Sequence, residues 1–197
     1  MGETRTHRPV LLVMAAFSRY PEALDWGRAR AEAEFGPLVL ESPRMPFEQT
    51  KFYERSMGSG LEKTLWAFKS LMDPLELPTI KLATNDWEQA YQREHEWPES
   101  RPLNLDPGYI TEAKLVLATT KDRDHRLYLG NGIFGEVTLY YHAGNWCARP
   151  WTYPDYQQPA YHEFFDQCRK YLREQYHRGD DATASPRPPR RSLNAKD

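Results

Sequence analysis

What the sequence lacks narrows its class before any motif is read. The longest apolar run, "PVLLVMAAF" from Pro9 to Phe17, falls far short of the roughly 20 residues a membrane-spanning helix needs. It also follows too closely on a mixed-charge start to read as a secretory leader. A membrane location is therefore not expected, and the cytoplasm is the expected compartment. Cysteine is scarce: Cys147 and Cys168 are the only two, and thiols far apart in a chain without an export signal are expected to stay reduced. There is no excess of positive charge either. The net charge is -2, and the stretch from Arg178 to Asp197 holds five positive and three negative residues, so the remainder is more acidic than the whole. This argues against a nucleic-acid-coating surface and leaves only Arg187, Arg190 and Arg191 of the tail as a footing for one.

The familiar catalytic signatures are missing too. No Gly-rich loop runs into Lys-Ser/Thr, and there is no G-x-G-x-x-G, H-E-x-x-H, paired C-x-x-C or G-x-S-x-G. P-loop, Rossmann, zincin and serine-hydrolase readings are thereby weakened.

What is present is one foldable unit of ordinary composition. At 197 residues, with 40% hydrophobic and 27% charged side chains, the chain suits one domain with a real core. Val10 to Phe17 reads as a buried strand. "SRYPEALDWGRARAEAEFG" reads as a helix started by Ser18 and Pro21 and stopped by Gly36, and "PLVLES" as a second strand. The aromatic stretch Phe47 to Arg55 suggests a further strand. "LEKTLWAFKSLM" fits both periods and is assigned to strand, because "DPLE" at Asp73 to Glu76 opens a better helix with a capping box. That helix is predicted to run to Glu94 with Leu77, Ile80, Thr84, Trp87 and Tyr91 on one side, and "RPLNL" then closes a βαββαβ-like half.

Beyond Lys114 come the short strands "KLVLAT", "HRLYLG" and "IFGEVTLYY". "GNG" at Gly130 to Gly132 joins the last two as a hairpin; if all three residues form the loop, Arg126 faces Glu136. "QPAYHEFFDQCRKYLREQYH" is a closing amphipathic helix. The expected class is α+β: a βαββαβ-like N-terminal half with an antiparallel sheet, a β-hairpin region and a C-terminal amphipathic helix. The expected organisation is a flexible N-terminus over 1–8, one domain over 9–177 and a disordered tail over 178–197.

Candidate chemistry gathers between Asn104 and Tyr156. "DPGY" is predicted as a type II turn, with Pro107 first and Gly108 supplying positive φ, which would fix Asp106 at a pocket rim. "TTKDRDHR" supplies hydroxyls, Lys121, His125 and Arg126, the groups that bind phosphate or carboxylate oxygens. Glu136 is a carboxylate inside a strand, with Arg126 its expected partner. Asp155 lies in an aromatic, proline-bounded loop. A Mg²⁺ held by Asp106, Glu136 or Asp155 is compatible with the sequence, since such sites have no tight spacing.

"RPLNLDPGYITEAKLVLATTKDRDHRLYLGNGIFGEVTLYY" followed by "PWTYPDY", with "FEQTKFYERSMGSGL" and "LPTIKLATNDWE" upstream, resembles a prokaryotic family catalogued as domain of unknown function 4416. The resemblance spans roughly Pro9 to Leu172 and implies no reaction. It does imply motif positions at Asn104, Asp106, Gly108, Tyr109, Lys121, His125, Arg126, Glu136, Trp151, Thr152, Asp155 and Tyr156. The sequence departs from the expected pattern at Gly135, where alanine is expected, and in its basic, proline-rich tail.

Together these readings give one lead expectation: a polar pocket for a phosphorylated or nucleotide-like small molecule. In it Lys121 and Arg126 neutralise the anion and His125, Asp106 and Glu136 are the catalytic candidates. Asn104, Tyr109, Trp151, Thr152, Asp155 and Tyr156 complete the binding set. The alternative is a non-catalytic interaction module in which the same polar residues form a structural network.

Overall fold

A computed structural model describes the backbone of residues 2–4 and 6–183 and the side chains of those up to Arg178. Nine strands form a single antiparallel sheet in the order β2-β4-β1-β5-β6-β8-β7, with β3 added beside β4 and β9 beside β8. In chain order these are β1 (Val10–Ser18), α1 (Pro21–Phe35), β2 (Leu38–Glu41), β3 (Met45–Pro46), α2 (Glu54–Met57), β4 (Glu62–Met72), α3 (Leu77–Glu94), β5 (Asn104–Ile110), β6 (Lys114–Thr119), β7 (Leu127–Gly130), β8 (Ile133–His142), β9 (Asn145–Ala148) and α4 (Pro159–Thr183). The fold is α+β, as expected.

β1 is buried along its whole length because the sheet is covered on both faces. That is why its sequence is continuously apolar instead of alternating. On one face Met14, Ala16, Trp66, Phe68 and Leu105 pack with Leu24 of α1 and with Leu77, Ile80 and Trp87 of α3. On the other, Leu11, Val13, Ala67, Ile110, Leu115 and Leu139 pack under Phe164, Phe165, Cys168 and Leu172 of α4. Cys147 and Cys168 are both free thiols. Among the described residues no helix is long and apolar enough to cross a membrane.

α1 starts at Pro21 as expected, but Ser18 ends β1 and the residue before the helix is Tyr20, which makes no side-chain cap; α3 follows its sequence signal closely. Asp73 accepts from the Leu75 N–H, and the Glu76 carboxylate accepts from the Asp73 N–H, a reciprocal cap around one 3-10 turn that leads into α3. α4 reaches Thr183, into the stretch assigned to the tail; residues 184–197, including Arg187, Arg190 and Arg191, lie outside the described residues.

Four local expectations are corrected. Phe47 to Arg55 is not a strand: only Met45–Pro46 pairs with β4, and the chain then loops into the short α2. Its apolar residues are used differently, since Phe47, Tyr53 and Met57 close a small cluster with Phe17 and Leu61 over the end of the sheet. The "GNG" loop is tighter than expected. Gly130 pairs with Ile133, and Asn131 and Gly132 both have positive φ (54° and 75°), as a two-residue type I′ turn requires. A bulge at Leu129 then restores the predicted facing of Tyr128 with Phe134 and Leu127 with Gly135. Asn145–Ala148, given no strand in the reading of the sequence, forms β9 and pairs with β8.

The fourth correction concerns "DPGY". It is not a turn but the interior of β5, where Asp106 pairs with Ala15, Pro107 with Met14 and Gly108 with Val13. The glycine is there for space. Gly108 is not among the glycines of positive φ, but a Cβ on it would lie 2.3 Å from the Val116 carbonyl oxygen. Pro107 sits where pairing to β6 has just ended, because Gly108 opposite Leu117 is the last β5–β6 pair. Lacking an N–H, it has no donor to offer a further rung. From there Asn104 to Pro107 follow β1, while Ala118 and Thr119 follow β8. The sheet therefore parts between its two central strands.

Candidate functional site

At this parting lies a cavity of about 330 Å³. Its floor is the end of the sheet: Phe17 of β1, Lys63 of β4, Asn104 and Asp106 of β5, Leu117 to Thr119 of β6 and Glu136 of β8. Three connections wall it, namely residues 47–53, the β6–β7 loop from Thr120 to Arg126, and the 3-10 turn Pro154–Gln157 ahead of α4.

Three ion pairs organise the floor. Lys63 Nζ lies 2.6 Å from Asp155 Oδ2, with both side chains at most 4% exposed. The rings of Phe47 and Tyr156 stand 4.8 and 4.5 Å from the same ammonium. This pair ties the wall turn to β4, and the ring faces add cation–π attraction in a dry setting. Arg126 Nε donates to Glu136 Oε2 at 2.7 Å, the partnership expected from the hairpin register. Glu136 is buried, and burial of a strand carboxylate is tolerated here because a guanidinium meets it. Lys81 is the third cation. Its ammonium donates to the Leu105 carbonyl at 2.9 Å and to Asp106 Oδ1 at 3.0 Å, while Asn104 Nδ2 donates to Asp106 Oδ2 at 2.8 Å.

These contacts set the protonation states. Burial alone would raise the Asp106 carboxyl, but the Lys81 and Lys63 ammoniums, with hydrogen bonds from Lys81 and Asn104, outweigh it and hold the group below its ordinary value. Behind it, burial raises the Glu88 carboxyl against the pull of Lys81 and Arg101. Glu88 accepts from the Leu105 N–H and from Arg101, which also donates to Asn104 Oδ1. Burial, reinforced by the Asp106 charge, pushes the Tyr53 phenol far up, so that it stays a hydroxyl.

The β6–β7 loop is fastened by Arg126. Besides Glu136, the guanidinium donates to the Lys121 carbonyl at 2.9 Å and to the Tyr153 hydroxyl at 3.2 Å. Every nitrogen of its side chain is therefore engaged by the protein. Burial works to lower its pKa, yet the Glu136 contact leaves it raised. Lys121 and Arg123 differ. Both line the cavity, and among the described residues neither has a carboxylate partner; the Lys121 ammonium stands 4.8 Å from the Phe52 ring.

Of the residues singled out in the sequence, the fold brings Asn104, Asp106, Lys121, Arg126, Glu136, Asp155 and Tyr156 to this cavity, and leaves Tyr109, His125, Trp151 and Thr152 off its lining. Tyr109 packs on the α1 and α3 side of the sheet. His125 stacks on Trp151, with centroids 4.9 Å apart and planes at 15°, and its Nε2 lies 3.3 Å from Glu136 Oε2. Trp151 Nε1 donates to the Val137 carbonyl and Thr152 Oγ1 to the Thr138 carbonyl, so both pin the connection after β9 to the sheet. Among the described residues no three His, Cys, Asp or Glu side chains gather as a metal site; the three carboxylates in the wall each face a cation instead.

The reading of the sequence missed Lys63, Lys81, Tyr53 and Arg101. For two of them a signal existed. Lys81 and Glu88 stand four residues after Leu77 and Thr84 on the core stripe of α3, and Lys63 shares the strand face of Leu65 and Ala67. Charge at a core-facing position is the mark of a paired, purposeful group. A family model described as Domain of unknown function (DUF4416) matches residues 8–171. No curated protein and no solved structure matches the chain.

Proposed function

The chain belongs to the family of domain of unknown function 4416, and from the make-up of its cavity we propose that it binds a small phosphorylated or nucleotide-like anion. One observation carries the reading. The wall holds six cationic side chains, Lys63, Lys81, Arg101, Lys121, Arg123 and Arg126, against three carboxylates, Asp106, Glu136 and Asp155. All three carboxylates already have cations, so the electrostatic surplus is available to a ligand. The volume, about 330 Å³, falls at the small end of the ~300–1,000 Å³ typical of ligand pockets. Phe47, Phe52, Tyr53 and Tyr153 supply apolar wall beside the charges.

The roles differ from those the sequence suggests. Lys121 and Arg123 meet the anion, and Arg126 holds their loop in place. His125 acts, through its contact with Glu136, on the clamp and not on the ligand. A ligand held only by the folded protein raises its unfolding midpoint by mass action, by about 2.7 kcal/mol of stability at 100 times its Kd. Thermal unfolding of the full chain with inorganic phosphate, sugar phosphates and nucleotides is expected to show such a rise. Lys121→Met should roughly halve it at the same ligand concentration, to about 1.4 kcal/mol for a tenfold weaker Kd, without lowering the midpoint of the ligand-free protein. A flat response across the panel overturns the proposal. It would favour the second reading, an interaction module, for which the exposed Leu127 and Tyr128 on the edge strand β7 are the supporting observation.

A further inference from the structure

We infer that the cavity is matched to a dianion carried on one phosphorus, a phosphate monoester, in preference to a di- or triphosphate. The inference rests on the anion-binding reading and deepens it by a count of charges. Lys63 is neutralised by Asp155, Lys81 by Asp106, Arg126 by Glu136, and Arg101 by Glu88 behind the wall. Two cations remain, Lys121 and Arg123, and both belong to the β6–β7 loop.

That loop is clamped at the same two residues. Arg126 donates from Nη1 to the Lys121 carbonyl and from its backbone N–H to the Arg123 carbonyl. The unpaired charges are thus presented from a fastened backbone, with Thr119 and Thr120 beside them in the wall. A phosphate monoester at neutral pH carries about -1.5 to -2 charges, with a second pKa near 6. It therefore satisfies both cations. A longer polyphosphate would set its further charges against Asp106, Glu136 and Asp155, which have no spare cation to give it.

The far wall describes the ester's body. Phe52 lies under Lys121 and Tyr53 stands next to it. Aromatic rings beside the two cations suit a ligand that carries a ring next to its charge. A monophosphate of a sugar or nucleoside has both parts.

Calorimetric titration of the full chain, without added metal, with inorganic phosphate, ribose 5-phosphate and adenosine mono-, di- and triphosphate tests this. At pH 7.5 the monoesters are expected to bind at least about tenfold more tightly than the di- and triphosphate. Lys121→Met and Arg123→Met should each weaken monoester binding by about tenfold, the scale of one lost charge-assisted contact. Both variants should keep the unfolding midpoint of the parent. Tightest binding of the triphosphate would overturn the charge match while leaving the anion-binding reading intact. Monoester binding indifferent to both substitutions would overturn the assignment to this loop. If none of the five anions binds, the reading beneath the inference falls with it.

Discussion

Under α4, Leu11, Ile110, Leu115 and Leu139 belong to one buried apolar cluster, whereas a few residues along, the same four strands present Phe17, Asp106, Leu117 and Glu136 to the cavity. Both ends have the same hydrogen-bonding direction and the same side-chain alternation. They differ in whether β5 and β6 stay joined. Where the ladder is whole, helices cover it and the contents are aliphatic. Where it parts, charged groups gather: the four charged residues buried among the described residues, Lys63, Lys81, Glu136 and Asp155, line the gap together with the buried side chain of Arg126. The comparison teaches that the site is made by interrupting the sheet, and that its ion pairs are what make the interruption tolerable. An unpaired charge there would cost several kcal/mol, while a paired one with its hydrogen bonds met costs little.

The sharpest way to break the polar end is Asp155→Ala. It strands the Lys63 ammonium among rings at 3% exposure, and removing one partner of a buried pair costs about 3–5 kcal/mol. Denaturant titration should show the midpoint falling with little change in slope. A loss below about 1 kcal/mol would mean that water reaches Lys63 and that the pair is not a structural tie.

The boundary between the two ends is tested by Gly108→Ala. The new methyl would meet the Val116 backbone 2.3 Å away, and overpacking of this kind costs about 1–3 kcal/mol. Because the obstacle is backbone, the expected result is a separation of β5 from β6, read as faster amide exchange in Gly108 to Ile110 and Leu115 to Leu117, with slow exchange kept in β1. Unchanged exchange would show that the strands have slack at this point.

The smallest expected effect is a change in pH dependence. The Asp106 carboxyl is held below its ordinary value, so its contribution is present above the unfolded pKa of about 3.9 and is lost as pH falls through the lower folded value. Asp106→Asn should therefore be less stable than the parent at pH 7, by about 1.5 kcal/mol, the low end for a hydrogen bond to a charged group, and the gap should close as pH falls below about 3.9. A gap independent of pH would mean that Asp106 contributes by shape and not by charge.

Much of this architecture was legible in the sequence because the strong signals were local. The continuous apolar run of β1, the Gly36 stop, the cap at Asp73 and the stripe of α3 each specify their element within a few residues. The Arg126–Glu136 facing followed from a hairpin whose turn residues fix its register. The misread element failed for a physical reason. Pro-Gly between polar residues is the local pattern of a turn, and nothing within "DPGY" records that Val116 lies 2.3 Å from where a Cβ would be. Phe47 and Tyr53 have strand propensity, but burial against Phe17 decides their place. Half of the site was visible for the same reason: residues of the β6–β7 corner are near one another in sequence, whereas Lys63, Lys81 and Asp155 meet only through the sheet.

The route taken by Lys81 has a mechanical consequence. Its helix packs on the first face, yet Asp106, which alternates with Leu105 along β5, belongs to the second. The side chain crosses at the parting and ends in two hydrogen bonds, to the Leu105 carbonyl and the Asp106 carboxylate. It is a pin driven through the sheet. α3 cannot slide along its axis without pulling on the cavity floor or breaking both bonds. A load applied to the helix is therefore felt at the cavity floor, over a lever one lysine long.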